Sequence, residues 1–556
     1  MSPANPSLSQ SLAERFQSPL RGDHALGLGA LAAGVSLVTG YPGSPATPVF
    51  DAIMGASAPE QCKLHWAANE KVALEMAIGA SLAGQRALVV LKSVGLNVAL
   101  DPLATFSLSG GFGGLVILLG DDPGGWGSQN EQDTRWLCRT AEVPLVEPTR
   151  AEQAANLMVQ AFAWSERHGL PIIVRITNSL GSERTMVQPP WLLPPAPGIF
   201  PRKRDRWVVL PATVVKRHNT LHRRLAELAR AMETSPYDTV AGDGATGILS
   251  VGHTLGRVRQ VLRREQQVSI LSLSSVWPLP EESLLRWLGE RQRVLVVEEG
   301  GAFVEGQVRS LVQRHSLPTT VLGQETRTLP AEGELTASSL ASALNLLAPE
   351  LGLAPQGEAH RSMPSRVPLC EGCGYIPLFE ALIAAMEQHG GRAAHIMVGE
   401  TGCMVRANLP PMRLFDVKYG LGSGLGMGLG LAVAGARQRV VCLIGDSSFF
   451  HSGINALPSL VQSGADLTVV ILDNGVTALT GGQVHPGTSH DERGSARPGE
   501  SIEAVLRAAG VDPQVVSPNR PEEMRSALDG ALAGRGLNVL VAQVPCVRYI
   551  QEDKSA

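Results

Sequence analysis

Short apolar runs alternating with helical patterns extend along most of this chain. In the first third the runs fall at 35–39, 86–92, 114–120 and 171–176. A second set falls at 248–251, 270–273 and 294–297. A third comprises a run ending in Leu443-Ile444, then 469–472 and 539–543. Runs this short, without strict alternation, read as strands buried on both faces. Interleaved with helices, they predict mostly parallel sheets with helices on both sides, and hence a multidomain α/β protein.

The stretch VVCLIGDSSFFHSGINALPSLVQSGADLTVVILDNGVTAL carries the most chemistry. A buried strand stops at Gly445-Asp446, an apolar helical segment follows, and a second strand ends at Asp473-Asn474. Two parallel strands joined by a helix bring both ends to one sheet edge, where open α/β sheets take their ligands. Asp446 and Asn474 then face one another. A carboxylate and an amide oxygen are hard donors suited to Mg²⁺, which keeps diphosphate oxygens in its octahedron. The Val476 carbonyl is the candidate third ligand. An ordinary βαβ unit with polar caps has the same pattern. In HWAANEKVALEMAIGA, Glu70 opens a helix rich in small residues. The helix macrodipole favours a glutamate there, so the position alone carries no functional assignment.

Composition narrows the field. With 556 residues and 44% apolar content, the chain has material for about three or four domains. A net charge of −4 points away from nucleic acid and acidic membrane surfaces. The N-terminus lacks a basic and an apolar region, so no secretory signal is read, and its first dozen residues are expected to fray. The uncharged segment 419–436 has the length of a membrane span. Its many glycines and its place before the Gly445-Asp446 strand favour a soluble helix that packs closely. No position within it satisfies G-x-G-x-x-G, so it is not a nicotinamide fingerprint, and no P-loop is found. Seven cysteines, an odd number, without a signal suggest reduced thiols in the cytoplasm. The proline-rich PPWLLPPAPGIFP at 189–201 and the following Arg202-Lys203-Arg204 read as a solvated linker, and 354–368 as another. The expected divisions are 1–188, 189–243 (linker), 244–350, 351–366 (linker) and 367–556. In the middle block Glu298 and Glu299 read as cap and surface residues.

Several long motifs carry a family resemblance: GYPGSPATPVFDAI, NEKVALEMAIGAS, LKSVGLNVALDPL, DDPGGWGSQNEQD, CEGCG, GDSSFFHSG and LDNGVTALTGGQVHPG. Over most of its length the chain resembles the 2-oxoacid:ferredoxin oxidoreductase superfamily, and within it the α subunits of the indolepyruvate type. These depend on thiamine diphosphate (ThDP). Ser447 stands at the third position of the Gly-Asp-Gly…Asn signature of ThDP enzymes. The resemblance implies two doubly wound parallel-sheet domains, a pyrimidine-type ThDP domain at 1–188 and a diphosphate-type domain at 367–556. It also implies a transketolase C-terminal-like α/β domain at 244–350. Asp446, Asn474 and Val476 would hold Mg²⁺. Tyr41, Pro42, Gly43, Gly402, Gly445, Ser447 and His451 would contact the cofactor. Glu70 would contact N1′ of the aminopyrimidine, with Gly79 nine positions along the same helix. Ser44 would touch the substrate carboxylate, or is an ordinary turn residue. Cys370, Cys373, Cys403 and Cys546 would hold one [4Fe–4S] cluster, four thiolates being its usual ligation. A Cys₄ zinc site and plain buried thiols are the other readings. Cys442, inside an apolar strand, reads as a core residue; Cys62 and Cys138 fit no pattern.

The activity so implied is oxidative decarboxylation of a 2-oxo acid, an arylpyruvate such as indolepyruvate, to an acyl-CoA. Electrons would pass through the cluster to ferredoxin or another carrier, with coenzyme A as co-substrate. A separate β/γ-type subunit and a dimer of heterodimers are expected. ThDP would lie between the first domain of one protomer and the last domain of another. A non-oxidative ThDP decarboxylase or carboligase, and a non-catalytic assembly subunit, are the competing readings. Tyr375, Ser93 and Trp126-Gly127 stand where the family often has histidine, which bears on substrate and acceptor. Longer members carry a C-terminal ferredoxin-like domain. Too few cysteines remain here for its clusters, so electrons are expected to leave directly or through a partner.

Overall fold

A computed structural model of the chain describes residues 12–196, 198–262, 268–353 and 367–549. The frayed N-terminus and most of the 351–366 linker expected from the sequence lie outside the described residues. Two compact units are present, one running to the second linker apart from 66–69, the other comprising 66–69 and the last block.

After a helix at Gly22–Ala32, the first unit includes β1 (Leu37–Gly40), β2 (Lys63–Trp66), α1 (Glu70–Leu82), β3 (Ala87–Lys92) and α2 (Ser93–Ser109). It continues with β4 (Leu115–Gly120), α3 (Arg135–Thr140), β5 (Leu145–Val146) and β6 (Ile172–Ile176). Next come α4 (Val214–Met232), β7 (Thr239–Ala241), β8 (Thr246–Val251), β9 (Ser269–Leu273) and β10 (Ser275–Trp277). β11 (Arg293–Val297), α5 (Phe303–Arg314) and β12 (Thr320–Leu322) follow. The strands predicted from apolar runs appear in place. The cores of β3 and β4 are wholly buried, as helices on both faces require.

Two sheets result. One has seven strands in the order β10-β5-β6-β4-β3-β1-β2, the other five in the order β12-β11-β8-β9-β7. The β1-β3-β4-β6-β5 neighbours run parallel, so their C-terminal ends share an edge. β10 comes from the middle of the chain and closes the seven-stranded sheet antiparallel to β5. The stretch 189–243 contains α4, with Leu221, Leu225, Leu228 and Met232 on its buried face. The prolines and arginines around it mask that helical spacing in the sequence.

Buried ion pairs join these layers. Arg175 on β6 donates to Asp121 (2.7 Å), to Glu147 (2.9 Å) and to the Glu299 carbonyl (3.1 Å). Arg135, at the start of α3, donates to Asp133 (2.8 Å), to Glu298 (2.7 Å) and to the Gly301 carbonyl (2.8 Å). Glu298 also accepts the Val304 and Glu305 amides at the start of α5. It is therefore a cap, as its sequence context suggested, but a buried one and not a surface residue. Two arginines answer its neighbourhood, and neither is visible from local spacing.

The second unit contains α6 (Tyr375–Gln388), β13 (His395–Gly399), β14 (Val417–Lys418), α7 (Gly424–Val433) and β15 (Arg439–Gly445). It continues with α8 (Asp446–His451), β16 (Leu467–Asp473), β17 (Gln514–Val516) and β18 (Leu537–Gln543). These strands form one parallel sheet in the order β14-β13-β15-β16-β18-β17. Apolar clusters cover both of its faces. The glycine-rich segment forms α7, and no helix among the described residues is long and apolar enough to cross a membrane. Cys442 is fully buried in β15, its thiol against the Gly424 carbonyl (3.5 Å), as a core residue should be.

Removing the Arg175 guanidinium strands two buried carboxylates, a change that typically costs about 3–5 kcal/mol. Arg175→Met should therefore lower the thermal unfolding midpoint of this unit by several degrees in calorimetry. Adding Asp121→Asn and Glu147→Gln should restore much of the loss. An unchanged midpoint in the single variant would show that solvent reaches the network.

Candidate active site

In the second unit the parallel register brings the ends of β15, β16 and β18 to one edge. Asp446 follows β15 directly and is buried. Its Oδ1 accepts the Ser447 amide (2.7 Å), and its Oδ2 accepts the amides of Asn474 (3.0 Å) and Gly475 (2.8 Å). Gly475 has φ of +76°, a left-handed turn that favours glycine and aims its N–H at the carboxylate. The carboxylate thus clamps the exits of two neighbouring strands. Asn474 Nδ2 donates to the Tyr375 hydroxyl (2.7 Å), which fixes the amide so that Oδ1 turns to the other side, where it accepts the Val476 amide (3.0 Å). Tyr375 therefore orients a predicted metal ligand.

The same edge is polar and under-satisfied. His485 accepts the Gly487 amide on Nδ1 (3.1 Å), which leaves the proton on Nε2. That Nε2 is buried 3.3 Å from Asp446 Oδ2 but lacks a hydrogen-bond partner. Thr401 Oγ1, Thr477 Oγ1 and one oxygen of Glu400 are likewise buried without partners. Burial first, and then the Asp446 charge, push the Asp473 carboxyl up. Crowded carboxylates beside unanswered donors suit a cation carrying an anionic ligand. His485 and Glu400 escaped the sequence reading. His485 lies in the quoted LDNGVTALTGGQVHPG motif, and a search for histidines just beyond the Asn474 turn would have flagged it. His451 is buried at the end of α8, its Nδ1 paired with the Ser452 hydroxyl (2.9 Å).

The four cysteines gather beside this edge. Cys370 and Cys373 share a turn closed by the Cys373 amide on the Cys370 carbonyl (3.1 Å). The Cys546 amide donates to the Asn474 carbonyl (3.3 Å), because β18 leaves the sheet beside β16. Burial pushes the Cys403 thiol up to about 11; Arg406 pulls it down, and Cys546, Cys373 and Cys370 push it up again. Arg406 also reaches Cys370 Sγ at 3.9 Å. A tetrahedral zinc site with sulfurs about 2.3 Å from the ion would hold them about 3.8 Å apart. No three of these sulfurs lie within 4.8 Å of one another. The set is therefore more open than a mononuclear zinc site.

In the first unit the predicted residues meet at the C-terminal edge of the seven-stranded sheet. Glu70 is buried at the first turn of α1. Its side chain lies along the first turn of α2, where a Cβ on Gly95 would sit 2.6 Å from Glu70 Cγ, so only glycine fits there. The Tyr41-Pro42-Gly43 turn follows β1 and is buried, with the Gly43 amide on Thr47 Oγ1 (2.8 Å), while Ser44 is exposed. Lys92 reaches the Gly127 carbonyl (2.7 Å), and Asp122 holds the Gly127 amide (2.8 Å) and Ser128 hydroxyl (2.7 Å). Trp126 turns its indole N–H to Glu334 (3.2 Å). The Ser93 carbonyl accepts from Gln132 (3.2 Å).

Comparison with known proteins agrees with this architecture. Residues 28–192 match the family "Pyruvate flavodoxin/ferredoxin oxidoreductase, thiamine diP-bdg". Residues 400–542 match "Thiamine pyrophosphate enzyme, C-terminal TPP binding domain". Sheet edge and matches together define an oxidoreductase of the ThDP-dependent 2-oxo acid class. The chain is 33% identical over 555 residues to the indolepyruvate oxidoreductase subunit IorA of Archaeoglobus fulgidus, covering 95% of this chain and 86% of that one. It is 32% identical over 541 residues to the IorA subunit of Methanothermobacter thermautotrophicus, with the same coverage. Part of it, 32%, is 26% identical over 189 residues to 66% of the 2-oxoglutarate synthase subunit KorB of Methanothermobacter marburgensis. The chain belongs to the indolepyruvate ferredoxin oxidoreductase α-subunit family.

Burial pushes the Glu400 carboxyl up to about 8, against the pull of the Ser448 hydroxyl, the Gly445 and Gly422 amides and Lys418. Its folded value lies above the ordinary 4.5. The stability it contributes is therefore whole at low pH and falls as pH rises from there toward 8. Glu400→Gln should match wild type near pH 5 and gain thermal stability relative to it as pH approaches 8. A difference in midpoint that stays constant with pH would mean that Glu400 is ionised in the folded protein.

Proposed function

We propose that this chain carries out ThDP-dependent oxidative decarboxylation of an arylpyruvate, indolepyruvate being the substrate named in its relatives. The acyl group would pass to coenzyme A with release of CO₂, and two electrons would leave to ferredoxin or another carrier, a [4Fe–4S] cluster being the group that would supply one-electron acceptance. The observation that carries this reading is the join between the thiol set and the Asp446 edge. Cys546 and Tyr375 both bond to Asn474, one through its carbonyl and one through its amide.

The residues fit the groups they would hold. Asp446, Asn474 Oδ1 and the Val476 carbonyl supply hard oxygen donors for Mg²⁺. The partnerless Nε2–H of His485 and hydroxyls of Thr401 and Thr477 suit diphosphate oxygens. Gly445, Ser447, Gly402 and His451 would contact the cofactor. Cys370, Cys373, Cys403 and Cys546 ligate the cluster, and Arg406 offsets the charge of their thiolates. When bound, ThDP supplies the nucleophile and electron sink for C1–C2 cleavage, and the cluster supplies a one-electron acceptor.

The chain's own work is positional and protic. Glu70, held against Gly95, shares a proton with N1′ of the aminopyrimidine and sets the protonation state that activates it. Tyr41, Pro42 and Gly43 shape the wall beside that ring, and the exposed Ser44 hydroxyl is placed to bond the substrate carboxylate. Tyr375 holds the Asn474 Nδ2 group, which leaves Oδ1 as the atom that would serve a metal. The phenol stays neutral, since burial and the Asp446 charge raise its pKa. A separate γ-type subunit supplies the coenzyme A chemistry, in a dimer of heterodimers.

Glu70→Gln should leave the fold and Mg–ThDP affinity nearly intact while removing most turnover, since it deletes only the proton at N1′. A loss of only a few-fold in kcat would refute that role. For the redox step, anaerobically purified chain should carry about four irons and show absorbance bleached by substrate plus ThDP. Cys403→Ala should lose both, whereas Cys442→Ala should keep the iron. If anaerobic material carries no iron and substrate still loses CO₂, a non-oxidative decarboxylase takes the place of this reading.

A further inference from the structure

On the surface of the first unit, α4 presents His218 and His222 one helical turn apart, so both rings lie on the same face. Their centroids are 4.3 Å apart, and both Nε2 atoms point at the carboxylate of Glu142. His222 Nε2 lies 2.7 Å from Oε1, and His218 Nε2 pairs with Oε2. Glu142 sits in the turn after α3, anchored by its amide on the Arg139 carbonyl (3.2 Å). The ligand atoms of all three residues lie within 4.8 Å of one another, and among the described residues no other His, Cys, Asp or Glu set of three does so.

We propose that Glu142, His218 and His222 form a binding site for a divalent transition-metal ion of the zinc type. Two imidazoles and a carboxylate suit Zn²⁺, Ni²⁺ or Cu²⁺, and not Mg²⁺ or Ca²⁺, which take oxygen donors. Zinc sits about 2.0–2.2 Å from such atoms, so small rotations of the exposed rings close the set around an ion. The two rings are largely exposed, which gives an ion a path in and leaves the fourth position to water or a small ligand. The site is remote in sequence from Cys370, Cys373, Cys403 and Cys546 and uses none of the residues assigned to the cofactors.

The ion would pin α4 to the α3 turn. That turn is rigid at its other end, where Arg135 enters the buried pairs with Asp133 and Glu298. α4 is otherwise basic, with Lys216, Arg223 and Arg230 on the helix, and this opposes a cation and limits affinity. Two other arginines are engaged: Arg217 donates to the carbonyls of Arg206, Asp205 and Val208, and Arg224 to that of Ser109 (3.4 Å). The metal would thus stiffen a helix that packs against α2.

The test is calorimetric titration of Zn²⁺ into the anaerobic full chain with its cluster in place, so that the cysteines are occupied. Wild type should show one site that is absent from His218→Ala/His222→Ala and weakened more than about tenfold in Glu142→Gln. Saturating Zn²⁺ should raise the unfolding temperature of wild type alone, with circular dichroism and turnover of the metal-free variants unchanged. His222→Gln, which keeps the size and polarity of the side chain, serves if the double variant fails to fold, and should also lose the site. An equal number of zinc sites in wild type and His222→Gln would overturn the proposal.

Discussion

The arrangement of the second unit depends on one buried carboxylate. Asp446 accepts three backbone amides, one from its own helix start and two from the turn beyond the neighbouring strand. Each bond answers part of the cost of burying the charge. Together they hold two strand exits at a fixed separation. Everything else at this edge is measured from that separation: the Asn474 amide, the Val476 carbonyl, the Cys546 amide and, through Tyr375, the start of α6 with its cysteine turn. The join between the Asp446 edge and the thiols therefore has a short covalent and hydrogen-bonded path, held by sheet geometry.

The first unit solves a different problem. Its seven-stranded sheet is apolar enough to need little help, yet Arg135 and Arg175 are buried among four carboxylates. Well-paired buried ions contribute little net stability over apolar substitutes. Their value here is directional. Asp121 lies at the end of β4, next to the loop that carries Gly127 and Ser128, while Glu298 and the Glu299 carbonyl belong to the five-stranded sheet. The pairs fix where that loop starts, and hence where Lys92 and the Asp122 hydrogen bonds can place it.

Much of this was readable from the chain. Apolar runs located the main strands to within a residue or two, because parallel strands buried on both faces tolerate few polar residues. The Asp446 to Asn474 constellation follows from two strands and one crossover, a local rule. The identity of the cysteine set required the family motifs, since spacing alone does not say which strand exits converge. α4 was hidden because its four buried apolar residues are scattered among arginines and follow a proline run. The partners of Glu298 and the pairing of Tyr375 with Asn474 were out of reach for a different reason. Each joins residues far apart in sequence, and no periodicity encodes such a meeting. His485 lay between these cases, inside a conspicuous motif but without a known role to draw attention to it.

The provenance of β10 has a consequence for descent. The seven-stranded sheet ends in a strand borrowed from the middle of the chain, paired with β5 and followed at once by the Glu147 amide on the Ser274 carbonyl (2.9 Å). Without that strand, β5 would offer a row of open amides and carbonyls to any passing chain. A gene rearrangement that separated the first sheet from the five-stranded one would create a sticky rim as well as an incomplete protein. Separating the two sheets of the first unit would therefore expose an edge, whereas the sheet of the last block is completed by its own strands.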